Sequence, residues 1–195
     1  MAADLEIHPL TPKRLPDLAA LFGQGGDPKW CWCAYFRVRG MTWSNATAAS
    51  NRAVLEKAVR IRNGHAPGLV AYRDGEAVGW VGLSPRDEYG RLEHSTVLAR
   101  VDARPVWSIV CFVVGRAARG QGVAAALLAA AVDYARDHGA TMLEAYPVDT
   151  GGGRVPSANV YHGTLSMFER AGFSVVARRR WSANTVERLT VRLEL

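Results

Sequence analysis

The most apolar stretch of the chain predicts a buried strand that leads directly into a helix. Residues 106–114 contain no charged side chain, which is typical of a central strand covered on both faces. Val123–His138 is rich in alanine and leucine and predicts a helix, with Gly139 well placed as its C′ residue. A short glycine-containing turn separates the two, so a strand–turn–helix unit is expected from about Ser108 to His138.

Weaker periodicities predict the remaining elements. A helix is expected from Thr11, which is followed by Pro12 at the first helical position, to Phe22. Asp74-Gly75 signals a hairpin turn. The segment 26–43 is irregular and rich in aromatic residues. Further strands are predicted at 5–10, 68–72, 77–83, 141–148, 173–179 and 185–193, and further helices at 44–62 and 163–171.

Composition narrows the class of protein. A length of 195 residues favours a single domain spanning 1–195. The net charge of +6 suits a nucleic acid, a membrane surface or a phosphate-rich ligand without choosing among them. Three cysteines argue against a disulfide framework and favour a reducing, cytoplasmic environment. The N-terminus lacks the apolar core of a signal peptide, and the apolar run 123–132 is too short to span a membrane.

The turn between the strand and the helix is the strongest candidate for chemistry. The first backbone N–H groups of a helix lack partners, and the helix dipole adds positive charge there, so anions are attracted. Gly120 and Gly122 allow close approach, and Arg116 and Arg119 add formal charge. A plain tight turn would also explain the glycines. A dinucleotide fingerprint fits the pattern G-x-G-x-x-A, but the short β-rich remainder of the chain disfavours a Rossmann domain.

The sequence Arg119-Gly-Gln-Gly-Val-Ala124 resembles motif A of the GNAT superfamily of acyl-CoA-dependent N-acetyltransferases, whose signature is Q/R-x-x-G-x-G/A. The later stretch Phe168-Glu-Arg-Ala-Gly-Phe173 is similar to the motif B of that family. The order of predicted elements agrees over roughly residues 5–180. The resemblance implies an α/β (α+β) fold with a mixed, mostly antiparallel sheet of six or seven strands and helices on both faces.

The resemblance also implies how the cofactor, acetyl-CoA as acyl donor, would be held. Backbone amides of the turn would bind its pyrophosphate, while the end of the preceding strand would pair with its pantetheine arm. An asparagine near the motif B helix is usual in the family, and here it lies two residues early. The residues implied are Phe112, Val113 and Val114 for the arm, Arg119, Gly120, Gln121, Gly122, Val123 and Ala124 for the turn, and Asn159.

The catalytic groups depart from the family pattern. Phe168 stands where a tyrosine commonly protonates the leaving thiolate, and it cannot donate a proton. Tyr161 is the first choice to replace it, with Tyr146, Ser166 and His162 as alternatives, and packing is a competing explanation for each. Glu144 is the candidate general base, although a solvated strand glutamate would look the same.

Several broader hypotheses remain open at this stage. The acceptor is expected to be a small-molecule or peptide amine, and homodimer pairing through the last strand is conceivable. A non-catalytic CoA-binding module would explain Phe168. A basic nucleic-acid-binding protein is a further rival, although Arg178-Arg-Arg-Trp181 fits a solvated turn better. Cys31 and Cys33 do not suffice for a metal site, and buried thiols in an aromatic cluster explain them better.

Overall fold

The computed structural model describes residues 5–60, 64–151, 153, 160–182 and 187–195. No helix in these ranges is both long and apolar enough to cross a membrane. The strands are β1 Glu6–Pro9, β2 Gly68–Arg73, β3 Glu76–Pro85, β4 Trp107–Val114, β5 Met142–Ala145, β6 Ser174–Arg179 and β7 Arg188–Glu194. The helices are α1 Leu15–Gly23, α2 Pro28–Cys31, α3 Gly40–Ser44, α4 Ala48–Arg60, α5 Val123–Asp137 and α6 Leu165–Arg170.

The strands form one seven-stranded sheet in the order β1-β2-β3-β4-β5-β7-β6. Neighbouring strands run antiparallel except β4 and β5, which are parallel and are joined by the crossover through α5. The predicted fold class is therefore confirmed. The single parallel pair lies at the middle of the sheet, directly after the strand–turn–helix unit.

Side chains alternate between the two faces of the sheet along each strand, so each face has its own hydrophobic core. Val81 of β3 packs in a cluster with Leu127 of α5, and this cluster also includes residues of α6. Its neighbour Trp80 points the other way and packs with Phe22 of α1 and Leu55 of α4. Successive strand residues face opposite sides, so each face buries its own set of helices. The two faces can thus carry different binding sites.

Gly79 lets α5 approach the sheet closely. A Cβ atom at this position would lie 2.7 Å from Cγ1 of Val123 and 2.9 Å from Cδ1 of Leu127. Such contacts are too short to be tolerated without a shift of the helix. The absence of a side chain on β3 therefore fixes the first turn of α5 against the sheet.

Several elements differ in extent from the sequence prediction, and the first long helix begins at Leu15 after a 3-10 turn at Pro12–Arg14. The second long helix begins at Ala48 rather than residue 44, because the Thr47 and Ser50 side chains each accept the other's backbone N–H. The segment 26–43 includes the short helices α2 and α3. Strand β5 ends at Ala145, three residues earlier than predicted, because its pairing with β4 stops there.

Glu144 on β5, the candidate general base, is fully buried, so the alternative of a solvated strand residue does not hold. Its Oε1 accepts hydrogen bonds from Nη1 of Arg86 at 2.6 Å and from the Tyr146 hydroxyl at 2.7 Å. Its Oε2 accepts from Nε of Arg192 at 2.8 Å. One carboxylate is thus held between two buried guanidinium groups.

The same arginines tie the connection between β3 and β4 to the sheet. Arg86 donates to the carbonyl oxygens of Leu92 and Leu98, at 3.1 and 2.7 Å. Arg192 of β7 donates to Asp102 at 2.7 Å, and this contact lowers the pKa of Asp102 to about 2. The polar connection that the sequence left without structure is therefore anchored from within the protein.

Glu144→Gln is predicted to destabilise the fold strongly, because it removes the one fully buried charge that faces both guanidinium groups and leaves them only the more exposed Glu93 and Asp102. Breaking a buried ion pair by removing one partner costs about 3–5 kcal/mol. Urea denaturation at neutral pH measures the loss. Glu76→Gln, an exposed residue at the start of β3, is the matched control and should change stability by less than about 0.5 kcal/mol. A Glu144→Gln variant as stable as this control would contradict the assignment.

Candidate functional site

The turn after β4 has the geometry of an anion site. The chain passes through a short 3-10 turn at Arg116–Ala118 before α5 begins at Val123. Gly120 and Gly122 have positive φ values of +74° and +79°, which favour glycine over other residues. A Cβ atom at either glycine would meet nothing within 4 Å. The backbone at the start of α5 is therefore open to an approaching group.

Cationic and polar side chains surround this opening. Arg119 donates from Nε to the carbonyl oxygen of Val114 at 3.1 Å, and Arg116 is exposed beside it. Gln121 donates to the carbonyl of Ala117 at 2.7 Å and accepts a hydrogen bond from Arg73 at the end of β2. Free helix amides, open space and these arginines together fit a phosphate group. Arg73 was not recognised from the sequence because it comes from a distant strand.

Strands β4 and β5 separate before β4 reaches this turn. They pair only from Trp107 with Leu143 to Ile109 with Ala145. Beyond that point the segment 161–165 spans the gap between them. On one side the Phe112 N–H donates to the Tyr161 carbonyl at 2.6 Å. On the other side the N–H of Val148 donates to the Gly163 carbonyl at 3.0 Å.

The three residues expected to pair with the pantetheine arm differ in where their backbone groups point and in what those groups bind. The amide of Phe112 is already hydrogen bonded within the chain. Val113 lies opposite Trp80 and, by the alternation of strand groups, directs its backbone toward β3. The carbonyl of Val114 accepts from Arg119. Val123 and Ala124 form the first turn of α5, whereas Asn159 lies outside the described residues.

His162 is held in the gap in a defined protonation state. Its Nδ1 lies 3.0 Å from the carbonyl oxygen of Val110, which can only accept, so Nδ1 carries the hydrogen. Burial lowers the pKa of His162 to about 4. The ring is therefore neutral at pH 7, with the lone pair on Nε2.

The other catalytic candidates occupy distinct positions. Tyr161 is 36% exposed, and partial burial raises its pKa, so its hydroxyl keeps its proton. Tyr146 is buried beside Glu144, and burial raises its pKa further. Ser166 is exposed and lies 3.3 Å from the Thr164 hydroxyl. Phe168 is fully buried within the core. Tyr161 and His162 thus lie together in the gap, while Glu144 sits inside the ion-pair cluster.

A cavity of about 440 Å³ opens on the face of the sheet opposite α5. Tyr146 at the end of β5 and the pair Tyr161 and His162 form the wall nearest the gap. Aromatic side chains and a glycine from the segment 35–40, three arginines from separate parts of the chain and residues of the segment 94–98 also line it: Tyr35, Phe36, Arg39, Gly40, Arg91, His94, Ser95, Val97, Leu98 and Arg188. No sequence pattern predicted these arginines, because they are far apart along the chain.

The cysteines lie behind this cavity. Cys33 and Cys111 are buried in the aromatic cluster, with their sulfur atoms 2.9 Å apart, and Cys31 is partly buried. Burial and the contact between the thiols raise the pKa of Cys33. Over the ranges that the structure describes, no group of three or more His, Cys, Asp or Glu side chains could hold a metal ion.

Comparison with known proteins agrees with this geometry. The family model described as Acetyltransferase (GNAT) family matches residues 29–164. The fold is similar to that of a Drosophila melanogaster polyamine N-acetyltransferase that forms N-acetylagmatine, with 15% identity, a TM-score of 0.61 and coverage of 98% of this chain and 100% of that one. It is also similar to a ribosomal-protein-alanine N-acetyltransferase from Brucella melitensis, with 20% identity, a TM-score of 0.57 and coverage of 97% and 99%. No curated protein matches the sequence significantly. Because the family model covers more than half of the chain and its glycine turn lies where the motif requires, the protein belongs to the GNAT family of acetyltransferases.

Proposed function

We propose that the protein transfers the acetyl group of acetyl-CoA to a primary amine by direct attack. The observation that carries this proposal is the open glycine turn at the start of α5 beside the gap between β4 and β5. The turn would hold the pyrophosphate through the amides of Gln121 to Ala124. The gap would bring the thioester next to the cavity on the opposite face, where an amine could approach.

The reaction requires one bond to form and one to break. The nitrogen of the neutral amine attacks the thioester carbonyl carbon, forming the C–N bond, and the C–S bond then breaks. The amine loses a proton to a base, and the thiolate leaves with or without a proton from an acid. Acetyl-CoA supplies the activated acyl group, so the protein has to position the partners and handle two protons.

Tyr161 and His162 are the residues we assign to these proton transfers. Tyr161 keeps its proton at neutral pH and can donate it to the leaving sulfur. His162 lines the cavity as a neutral imidazole that can accept a proton on Nε2. Glu144 was the base expected from the sequence, but both of its oxygens are occupied by guanidinium and phenol donors. We assign it a positioning role, since it fixes the Tyr146 ring at the cavity wall.

A non-catalytic CoA-binding protein is the second candidate function. It is favoured by Phe168, whose buried ring packs against Phe112 and Phe173 with centroid distances of 6.1 and 5.1 Å. The usual proton donor of motif B is therefore replaced by a core residue. This alternative predicts acetyl-CoA binding without CoA release in the presence of any amine.

Acetyl-CoA is predicted to raise the unfolding temperature of the wild-type protein and not that of Gly122→Glu. At about 100 times its dissociation constant a ligand stabilises the folded state by about 2.7 kcal/mol. For a chain of this length that corresponds to a shift of roughly 5–10 °C. In the variant a carboxylate occupies the space proposed for the phosphate, and the shift should vanish.

Gly139→Glu is the matched control for this experiment. Gly139 lies just beyond the other end of α5 and has a nearly equal positive φ of +76°, also with no atom within 4 Å of a Cβ. Both substitutions therefore impose similar backbone strain, but only one lies at the proposed phosphate site. An equal loss of the acetyl-CoA shift in both variants would contradict the placement.

Tyr161→Phe is predicted to lower kcat without changing the acetyl-CoA-induced shift in unfolding temperature. A positioned general acid contributes about 10²- to 10⁴-fold in rate. Tyr35→Phe removes a hydroxyl from another tyrosine that lines the same cavity and serves as the control. Initial rates of CoA release measure both. A Tyr161→Phe variant whose kcat lies within about threefold of the Tyr35→Phe value would remove Tyr161 from the mechanism.

The buried, neutral state of His162 predicts a specific dependence of stability on pH. Its pKa is about 4 in the folded protein against an ordinary 6.5, so the unfolded chain binds more protons between these values. Stability should therefore fall as the pH drops from 6.5 to 4, by about 3 kcal/mol from this residue. His162→Asn keeps a donor for the Val110 carbonyl but cannot titrate. Urea titrations should show the wild type losing this extra stability, and parallel pH profiles would rule the assignment out.

A further inference from the structure

The cavity next to Tyr161 and His162 carries an unbalanced positive charge. Its described lining includes the guanidinium groups of Arg39, Arg91 and Arg188, and it includes no carboxylate. Among the residues outside the described ranges Asp4 is the only acidic one, and the segments 152–159 and 183–186, which are near Tyr161 and Arg188 in sequence, contain none. The wall that an amine would meet is therefore cationic.

The acidic residues nearest in sequence to these arginines form ion pairs with other arginines. Glu93 pairs with Arg86 at 3.0 Å and with Arg100 at 2.9 Å. Glu187, which directly precedes Arg188, pairs with Arg178 at 2.9 Å and with Arg180 at 3.6 Å. Within the ranges that the structure describes, no ion pair joins a carboxylate to any of the three cavity arginines.

Arg91 is fixed in place rather than mobile in solvent. Its Nε donates to the carbonyl oxygens of Tyr35 and Val38 at 2.8 and 3.1 Å. Its guanidinium carbon lies 4.1 Å from the centroid of the Tyr35 ring and 5.7 Å from that of Trp43. Such contacts hold a guanidinium group in one orientation, which reduces the entropy lost when it binds an anion.

Arg188 acts on the residues assigned to proton transfer. It stands at the start of β7, and its positive charge contributes to lowering the pKa of His162. Arg39 is exposed, also lines the cavity and directly precedes the short helix α3. The cationic groups therefore flank the position where the acceptor amine would react.

These arginines are separate from the proposed pyrophosphate site. The cavity is lined by Phe36 and Tyr146, which belong to the core cluster of α1 and α4. The glycine turn instead begins α5, which packs on the other face of the sheet. The glycine turn would bind the pyrophosphate of acetyl-CoA on one face of the sheet. The arginines on the other face would therefore bind a different anion.

We infer that the acceptor is a small amine that also carries a carboxylate, as an amino acid does, and that Arg39, Arg91 and Arg188 bind that carboxylate. This inference rests on the proposed function, because it names the substrate class of the same site. Guanidinium groups match the planar carboxylate and bind it through paired hydrogen bonds. The cavity volume of about 440 Å³ suits a small ligand. A polycationic amine such as agmatine would meet like charge on several sides.

Matched pairs of amines test the inference with the purified full-length chain. Arginine and agmatine differ only in the carboxylate, and so do phenylalanine and phenethylamine. Phenylalaninamide and argininamide keep the shape but lose the charge, and their amines are less basic than those of the acids. Greater availability of the neutral amine therefore favours the amides. A kcat/KM at least about tenfold higher for the acids would show recognition of the carboxylate.

Variants place this recognition at the cavity. The double variant Arg39→Gln with Arg188→Gln should raise KM about 10- to 100-fold for the acids and leave KM for the amides nearly unchanged, whereas an effect of Arg188 on kcat through His162 would be the same for both. Arg188→Glu should shift the preference from arginine toward agmatine. Arg136→Gln on the exposed side of α5 is the control and should leave both preferences unchanged. All these arginines are exposed, and the acetyl-CoA-induced shift in unfolding temperature confirms that each variant is folded.

The outcomes separate this inference from the function on which it rests. If acetyl-CoA stabilises the protein but the acids react no better than their amides, the carboxylate inference is overturned while the acetyltransferase proposal stands. If acetyl-CoA does not bind, that proposal fails, and calorimetry with the same acids and amides then decides the inference alone. Tighter binding of the acids that depends on Arg188 supports it. Equal binding of the acids and the amides overturns it, and so does the lack of any binding at about 10 mM of the acids.

Discussion

The buried carboxylate of Glu144 is the interaction on which the centre of the molecule depends. It neutralises Arg86, which holds the connection between β3 and β4, and Arg192, which belongs to β7. It also accepts the Tyr146 hydroxyl, and so fixes the aromatic wall of the cavity. Three segments far apart in sequence thus converge on one charge. A buried charge is tolerated only when such partners satisfy it, so the site and the fold share the same support.

The gap beside β4 follows from the early end of the β4–β5 pairing. Because the two strands separate after Ile109 and Ala145, backbone groups at the centre of the sheet need other partners. The segment 161–165 supplies them on both sides, and in doing so it carries Tyr161 and His162 into the gap. Pairing of an acyl donor with the Phe112 amide would have to replace the hydrogen bond from that amide to Tyr161. The residues assigned to proton transfer would then respond directly to donor binding.

Features that depend on neighbouring residues could be predicted from the sequence, whereas features that depend on contacts between distant residues could not. The glycine turn and α5 were predictable, because positive φ at Gly120 and Gly122 and the helix pattern depend on neighbouring residues. Six or seven strands could be expected for the same reason. The surroundings of Glu144 could not be predicted, since the residues that bury it and bind its carboxylate come from the 86–102 connection and from β7. The cavity arginines could not be grouped at all, because only the tertiary fold brings residues 39, 91 and 188 together.

The positions of the arginines in the structure show which kind of anionic ligand the basic composition suits. A net charge of +6 alone would suit any polyanion. In the structure, Arg73, Arg116 and Arg119 lie around the turn at the start of α5, while the cavity arginines lie on the opposite face. The two cationic sites therefore lie on opposite faces of the sheet. Such an arrangement fits two anionic small molecules approaching one reaction centre better than a continuous surface for a nucleic acid, which requires an unbroken basic patch.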